Sequence, residues 1–228
     1  MILVIPARGG SKGVPRKNLI KVGGIPLVVR GIMAGLNANC VSRVVVSTDD
    51  NEIGELSKKA GAEVIVRPKA ISGDVVMPDL AVSHVLNHIK SSNEPLSDVT
   101  CFMQPTSPFT TSDDIDCAYE KFCKNSCDSM FSGVLTHSFL WKMNGLKYLN
   151  PVNHDSTYRI GRQQLDSQFM ETGAFYLFKT KGFLDVQHRF FGNIGVYEMP
   201  ANRSIDIDDY FDLEMANIFA DNISRTSK

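Results

Sequence analysis

The stretch IPARGGSKGVPRKN, residues 5–18, sets Arg8, Lys12, Arg16 and Lys17 among Gly9, Gly10 and Gly13, directly after an apolar run. Glycines let backbone N–H groups converge on an anion while the cations neutralise it, so the stretch has the makings of a phosphate cradle, and a polyphosphate fits it best. It is not a Walker A loop, in which the lysine follows the last glycine, since Lys12 precedes Gly13; nor does it hold the G-x-G-x-x-G order. The simpler alternative is a solvated basic turn. Its place directly behind a buried strand favours a ligand.

A second constellation lies near the other end of the chain, in SIDID, residues 204–208. Read as a strand, it projects Asp206 and Asp208 to one face, roughly 7 Å apart, with Ile205 and Ile207 facing the other way. Two carboxylates on one side can share a divalent cation, and Mg²⁺, which keeps waters and substrate phosphates in its shell, is the natural choice. The competing reading is an exposed alternating edge with Asp208 or Asp209 capping the following helix. QPTSP, residues 104–108, offers an amide, two hydroxyls and two prolines at a strand end, suited to a base edge or a sugar, although alone it is an ordinary turn. His84 and His88 have zinc-ligand spacing but no third ligand, and read as ordinary helix residues. No nucleophile elbow and no basic-aromatic interleaving is visible.

The elements that must position these groups alternate. MILVIPA, RVVVSTDD, EVIVRP and VTCFMQP read as buried strands. Between them, IPLVVRGIMAGLNA opens with Pro26, NEIGELSKKAGA has Asp49 or Asp50 as N-cap, and DLAVSHVLNHIK is helical. Apolar strands alternating with helices predict an α/β fold with a mainly parallel sheet covered on both faces, whose ligands gather at the carboxyl ends of the strands. Arg8, Arg67 and Gln104 all fall at or beyond such ends. After the helical TSDDIDCAYEKFCKN and the strand SMFSGVLT, residues 136–168 are polar and weakly periodic and read as an inserted excursion. TGAFYLF and GVYEMP resume as strands, and SIDIDDYFDLEMANIFADNI closes with a short strand and an amphipathic helix. One domain, 1–228, with the insertion 136–168, is expected.

Length and composition bound the rest. The 228 residues, 43% hydrophobic with a net charge of -1, suit one globular domain and carry no global charge signature for nucleic acid. Five cysteines without a C-x-x-C pair suit free thiols in a reducing cytoplasm, and the first apolar run is broken at Arg8, too early for a signal or membrane segment.

Taken in order and spacing, IPARGGSKGVPRKN, VSTDD, VRP, QPTSP, TGAFY and SIDID resemble the CMP-sialic acid synthetases, or acylneuraminate cytidylyltransferases, over nearly the whole chain except 136–168. The resemblance implies a Rossmann-like nucleotidyltransferase fold and Mg²⁺-dependent transfer of CMP from CTP to the anomeric hydroxyl of a nine-carbon 2-keto acid sugar, with release of pyrophosphate. It also implies a homodimer in which the insertion reaches toward the neighbouring site, and no role for membrane or nucleic acid. Carried onto matching positions, Lys17 and Arg162 are catalytic; Arg8, Ser11, Lys12, Asn18, Arg67 and Ser107 bind CTP; Gln104, Tyr176, Phe190 and Phe191 bind the sugar; Asp206 and Asp208 hold the metal. The chain departs from the family pattern at Val75-Val76, at Phe109-Thr110 and at Glu171-Thr172-Gly173, which leaves the identity of the sugar open. The alternatives are a cytidylyltransferase for the eight-carbon Kdo and a non-catalytic CTP-binding subunit.

Overall fold

Strands buried on both faces need cover on both faces, and the computed structural model shows how the chain provides it. It describes all residues except Lys12, Asp74, Val75, Arg159, Ile160, Arg162, Gln164, Leu165, Ser227 and Lys228. Seven strands form the main sheet: β1 (Ile2–Pro6), β4 (Arg43–Thr48), β5 (Glu63–Val66), β6 (Val99–Met103), β7 (Ser129–Thr136), β10 (Gln168–Lys179) and β11 (Ile194–Glu198). Their spatial order is β11-β7-β10-β6-β1-β4-β5, and only β10 runs against its neighbours. Alternate residues of one strand feed opposite cores, as strand geometry requires. Leu3, Ile5, Val44 and Val46 pack with Ile32 of α1 (Leu27–Asn37), Ile53 of α2 (Asn51–Lys59) and Ile115 of α4 (Ser112–Lys124). Ile2, Val4, Val45 and Phe102 pack on the other face with Val82 and Val85 of α3 (Pro78–Ser91) and Phe183 of α5 (Thr180–Val186).

A third, smaller core fixes the two ends of the chain together. The ribbon of β2 (Lys21–Val22) and β3 (Ile25–Pro26) follows the basic loop directly, and α6 (Tyr210–Thr226) lies on it. Val22, Leu27, Phe109, Ile207, Ala216 and Ala220 are buried between them, with Phe109 edge-on to Phe219 at 4.7 Å. Phe109, a departure from the family pattern, is therefore a core residue. The SIDID expectation is corrected here: residues 204–208 form no strand. Ile207 is held instead by burial in this core and by its N–H donating to Thr106 O at 3.0 Å. The helix cap falls to Asp209, whose Oδ1 accepts from Phe211 and Asp212 N–H, so Asp208 is left for other work.

The excursion leaves and returns at paired positions, Thr136 opposite Gln168. It is less irregular than the sequence suggests, because β8 (Trp141–Met143) and β9 (Leu149–Pro151) pair as an antiparallel ribbon. Trp141, Met143, Leu146, Tyr148 and Leu149 are exposed on it. β10 itself starts earlier than TGAFYLF, and its register with β7 slips between Glu171 and Tyr176, an irregularity that contains Gly173 at φ +73°.

Asp114 ties α4 to the turn preceding the acidic segment. It completes a capping box with Thr111, accepts from the Tyr197 hydroxyl at 2.9 Å and pairs with Arg203 while only 1% exposed. Asp114→Ala strips a cap and leaves a half-buried guanidinium without its partner, so unfolding free energy is expected to fall by roughly 2–4 kcal/mol. Urea unfolding checks this: the midpoint should drop at an unchanged slope.

Candidate active site

A cavity of about 420 Å³ opens at the carboxyl ends of β1 and β6 and is lined by Arg8, Ser11, Gly13, Lys17, Asn18, Arg67, Gln104, Thr106 and Asp208, among others. The basic loop reaches it by closing on itself and on the tail of the chain. Asn18, buried, donates from Nδ2 to Arg8 O at 2.9 Å. Lys17 Nζ donates to Ile207 O at 2.6 Å and lies 3.2 Å from Asp208 Oδ1. A Cβ on Gly13 would stand 2.0 Å from Asp208 O, so only glycine permits this approach of the two backbones. Gly9 N–H donates to Asp49 Oδ1, and Asp50 alone is the N-cap of α2, accepting from Ile53 N–H.

One cation of the loop leaves the cradle. Arg16 adopts the left-handed region at φ 52° and its guanidinium pairs with Glu52 at 2.8 Å and Asp50 at 3.2 Å. The expectation that it helps neutralise a ligand is therefore corrected: its charge is spent on α2. Lys12 and Arg162 lie outside the described residues.

Arg67 takes up the opposite wall. It is 6% exposed, its Nε and one Nη reach no hydrogen-bond partner, and Asp49 stands 3.9 Å away. Burial pulls its pKa down, Arg8 adds to this and Asp49 opposes it. A buried guanidinium with unsatisfied donors is costly unless an anion reaches it. His84 of α3 is held below its usual pKa by burial, then by His88 and Arg67.

Asp206 sits just behind the cavity. A Cβ on Gly173 would stand 3.3 Å from its Oδ2 and 3.6 Å from Gln104 Oε1, so the irregularity in β10 brings sheet, amide and carboxylate together. Burial pushes the Asp206 carboxyl up, a hydrogen bond from Thr106 opposes this, and Asp208 adds to it. Its Oδ1 is buried with no hydrogen-bond partner. An orphaned carboxylate oxygen two residues from the exposed Asp208 suits a hard, oxygen-seeking cation. Among the described residues no third His, Cys, Asp or Glu joins them, so further ligands would come from substrate phosphates and water.

Residues 2–219 match the family described as cytidylyltransferase. The chain belongs to the cytidylyltransferase family. It is 34% identical over 223 residues to the pseudaminic acid cytidylyltransferase of Campylobacter jejuni, covering 95% of this chain and 94% of that one. It is also 34% identical to N-acylneuraminate cytidylyltransferase A of Danio rerio, over 93% of this chain and 49% of the fish protein. Among solved structures, CMP:2-keto-3-deoxy-manno-octonic acid synthetase complexed with CTP superposes with a TM-score of 0.72 at 16% identity, over 97% and 98% of the two chains, a likeness of fold. The mainly parallel sheet with helices on both faces is thus the nucleotidyltransferase architecture, and the protein is a nucleotidyltransferase.

In this cytidylyltransferase, Arg8, Ser11, Lys17, Asn18, Arg67, Gln104 and Asp208 line one cavity, drawn from both ends of the chain and its middle. Ser107 is buried beside it with an unpartnered Oγ. Tyr176, Phe190 and Phe191 stand one layer back: Tyr176 stacks on the cavity residue Phe102 at 5.4 Å, Phe190 meets Tyr176 edge-on at 5.8 Å, and Phe191 packs toward Gly182. Sequence reading, which marked only Val75-Val76 there, missed the rest of the wall formed by Ile71, Ser72, Gly73, Val76, Met77 and Pro78. Its one signal was position, between a strand end and a helix start.

Proposed function

We propose that this cytidylyltransferase transfers CMP from CTP to the anomeric hydroxyl of a nine-carbon 2-keto acid sugar, releasing pyrophosphate. One observation carries the reading: Lys17, 3.2 Å from Asp208, shares a single cavity with Arg8 and with an Arg67 guanidinium whose Nε and one Nη have no hydrogen-bond partner, so cations for a triphosphate face a carboxylate for a divalent ion, with Asp206 just behind it. The relative from Campylobacter jejuni, matched along nearly its whole length and named for pseudaminic acid, supports a nine-carbon acceptor.

In the reaction, the anomeric oxygen bonds to the α-phosphorus as the bond from that phosphorus to the bridging oxygen of the β-phosphate breaks, and pyrophosphate departs with the electron pair. Positioning and charge stabilisation do most of the work in such transfers. Lys17, Arg8, Arg67 and Lys12 hold the phosphates, with Ser11 and Asn18 closing the loop and Ser107 behind it. Gln104 meets the sugar in front of Tyr176, Phe190 and Phe191, and the role assigned to Arg162 is neutralising the acceptor carboxylate or the developing charge. Asp206 and Asp208 would hold Mg²⁺, which would supply neutralisation of phosphate charge. Asp208, the carboxylate among the described lining residues, is already engaged by Lys17, so the hydroxyl proton passes to solvent.

The exposed apolar ribbon of the excursion supports a homodimer, since patches of this kind mark interaction sites. Free cysteines support a cytoplasmic setting, and among the described residues no helix is long and apolar enough to cross a membrane. Pyrophosphate release with CTP, measured across pseudaminic, N-acetylneuraminic, legionaminic and deaminated neuraminic acids and Kdo, tests the reading. Turnover with a nine-carbon acid at least about tenfold above that with Kdo is expected; preference for Kdo, or CTP binding without turnover, contradicts it.

A further inference from the structure

Arg189, just before Phe190, has a place that none of the roles above explains. Its guanidinium carbon lies 4.6 Å from the ring centre of Phe102 and 4.5 Å from that of Tyr176. It forks onto Asp79, donating from Nη2 to Oδ2 at 2.6 Å and from Nε to Oδ1 at 3.2 Å, and its own backbone N–H reaches the same Oδ1 at 3.1 Å. Asp79 is 2% exposed and follows directly on Met77 and Pro78 of the cavity wall. One turn further along α3, Ser83 Oγ donates to Gln187 Oε1 at 2.7 Å, a second tie between the same two segments.

A buried ion pair adds little stability compared with well-packed apolar side chains, because desolvation offsets most of the attraction. What the planar, bidentate fork does supply is geometry, which lysine cannot reproduce. Here it joins three surfaces: the cavity wall at Pro78, the cavity floor at Phe102, and Tyr176. The Tyr176 hydroxyl in turn donates to Glu171 Oε2 at 3.0 Å. Glu171 is exposed and stands two residues from Gly173, which packs against Gln104 of the cavity.

We propose that Asp79 and Arg189 are positioning residues for the acceptor half of the cleft, and that through Tyr176 they fix Glu171 as a specificity-determining carboxylate. Held in this way, Glu171 accepts hydrogen bonds from hydroxyl or amide N–H groups on the acceptor's distal carbons. The inference rests on the acceptor reading above.

The test is steady-state kinetics of Glu171→Gln, Arg189→Lys, Arg189→Met and Asp79→Asn with the best acceptor of the panel, alongside CTP titrations and thermal melting. Glu171 is exposed, so Glu171→Gln should fold normally and remains informative if an Arg189 variant does not. The acceptor KM should rise about tenfold or more in Glu171→Gln and Arg189→Met, with Arg189→Lys between these and wild type, while the CTP KM stays within about twofold. An unchanged acceptor KM in Glu171→Gln overturns the proposal while leaving the acceptor reading intact. So does a parallel rise of both KM values with a lowered melting temperature in the Arg189 variants, the mark of a merely structural role. Wild-type protein inactive with every acceptor defeats the reading and the proposal together.

Discussion

Lys17→Ala is expected to lower turnover on the order of a hundredfold or more, the scale on which a group that stabilises transition-state charge acts. The lysine is only 15% exposed and makes two contacts with the acidic segment, to Ile207 O and Asp208 Oδ1. Its removal takes a cation from the phosphate side and loosens the segment that presents Asp208, so kcat and kcat/KM should fall together. A charge left in place but misplaced should help little: Lys17→Arg is expected to recover only a small part of the rate, because a forked guanidinium does not reproduce the compact ammonium between a carbonyl and a carboxylate. Pyrophosphate release under saturating CTP measures both. Wild-type kinetics in Lys17→Ala would reduce the basic loop to a surface turn.

The two carboxylates should fail in different ways. Asp208→Ala is expected to abolish pyrophosphate release while leaving the fold untouched, because the side chain is 81% exposed and substitutions at such positions change stability by only about 0.5 kcal/mol. Asp206→Asn should be equally inactive yet no less stable, and its melting temperature is expected to rise. Burial raises the Asp206 carboxyl above its unfolded-state pKa, so at neutral pH the folded protein carries the cost of a desolvated charge that asparagine does not have. Stability given up for activity in this way is common where a site holds an unsatisfied group. A fully active variant at either position removes the metal assignment, and a clearly destabilised Asp206→Asn removes the argument from burial.

Much of this arrangement could be read from the amino acids because the signals were local. Ile2 to Ile5, and Val44 to Val46, are apolar on successive residues, which only a strand covered on both sides tolerates, and Asp50 before an amphipathic run is a cap by chemistry. Long-range geometry was not legible. SIDID alternates like a strand, but its alternation records Ile207 entering a core shared with α6, and no ladder forms. Arg16 counted as a phosphate ligand by proximity in sequence; a left-handed turn after Pro15 sends it to Glu52, 36 residues away. The irregularity at Gly173, which joins Gln104 to Asp206, follows from the unequal spacing of β10 and β7, and the glycine in TGAFY is its one local sign. Arg189 was invisible for the same reason, since Asp79 lies 110 residues away.

The most direct measurement is an anomalous difference map from crystals grown with CTP and Mn²⁺ as a substitute for Mg²⁺. It is expected to show a single cleft holding the metal against Asp206 and Asp208 and the triphosphate against Lys17, Arg8 and Arg67. A metal peak remote from both carboxylates, or a triphosphate bound outside the cavity those residues share, would contradict the joining of the two chain ends into one site.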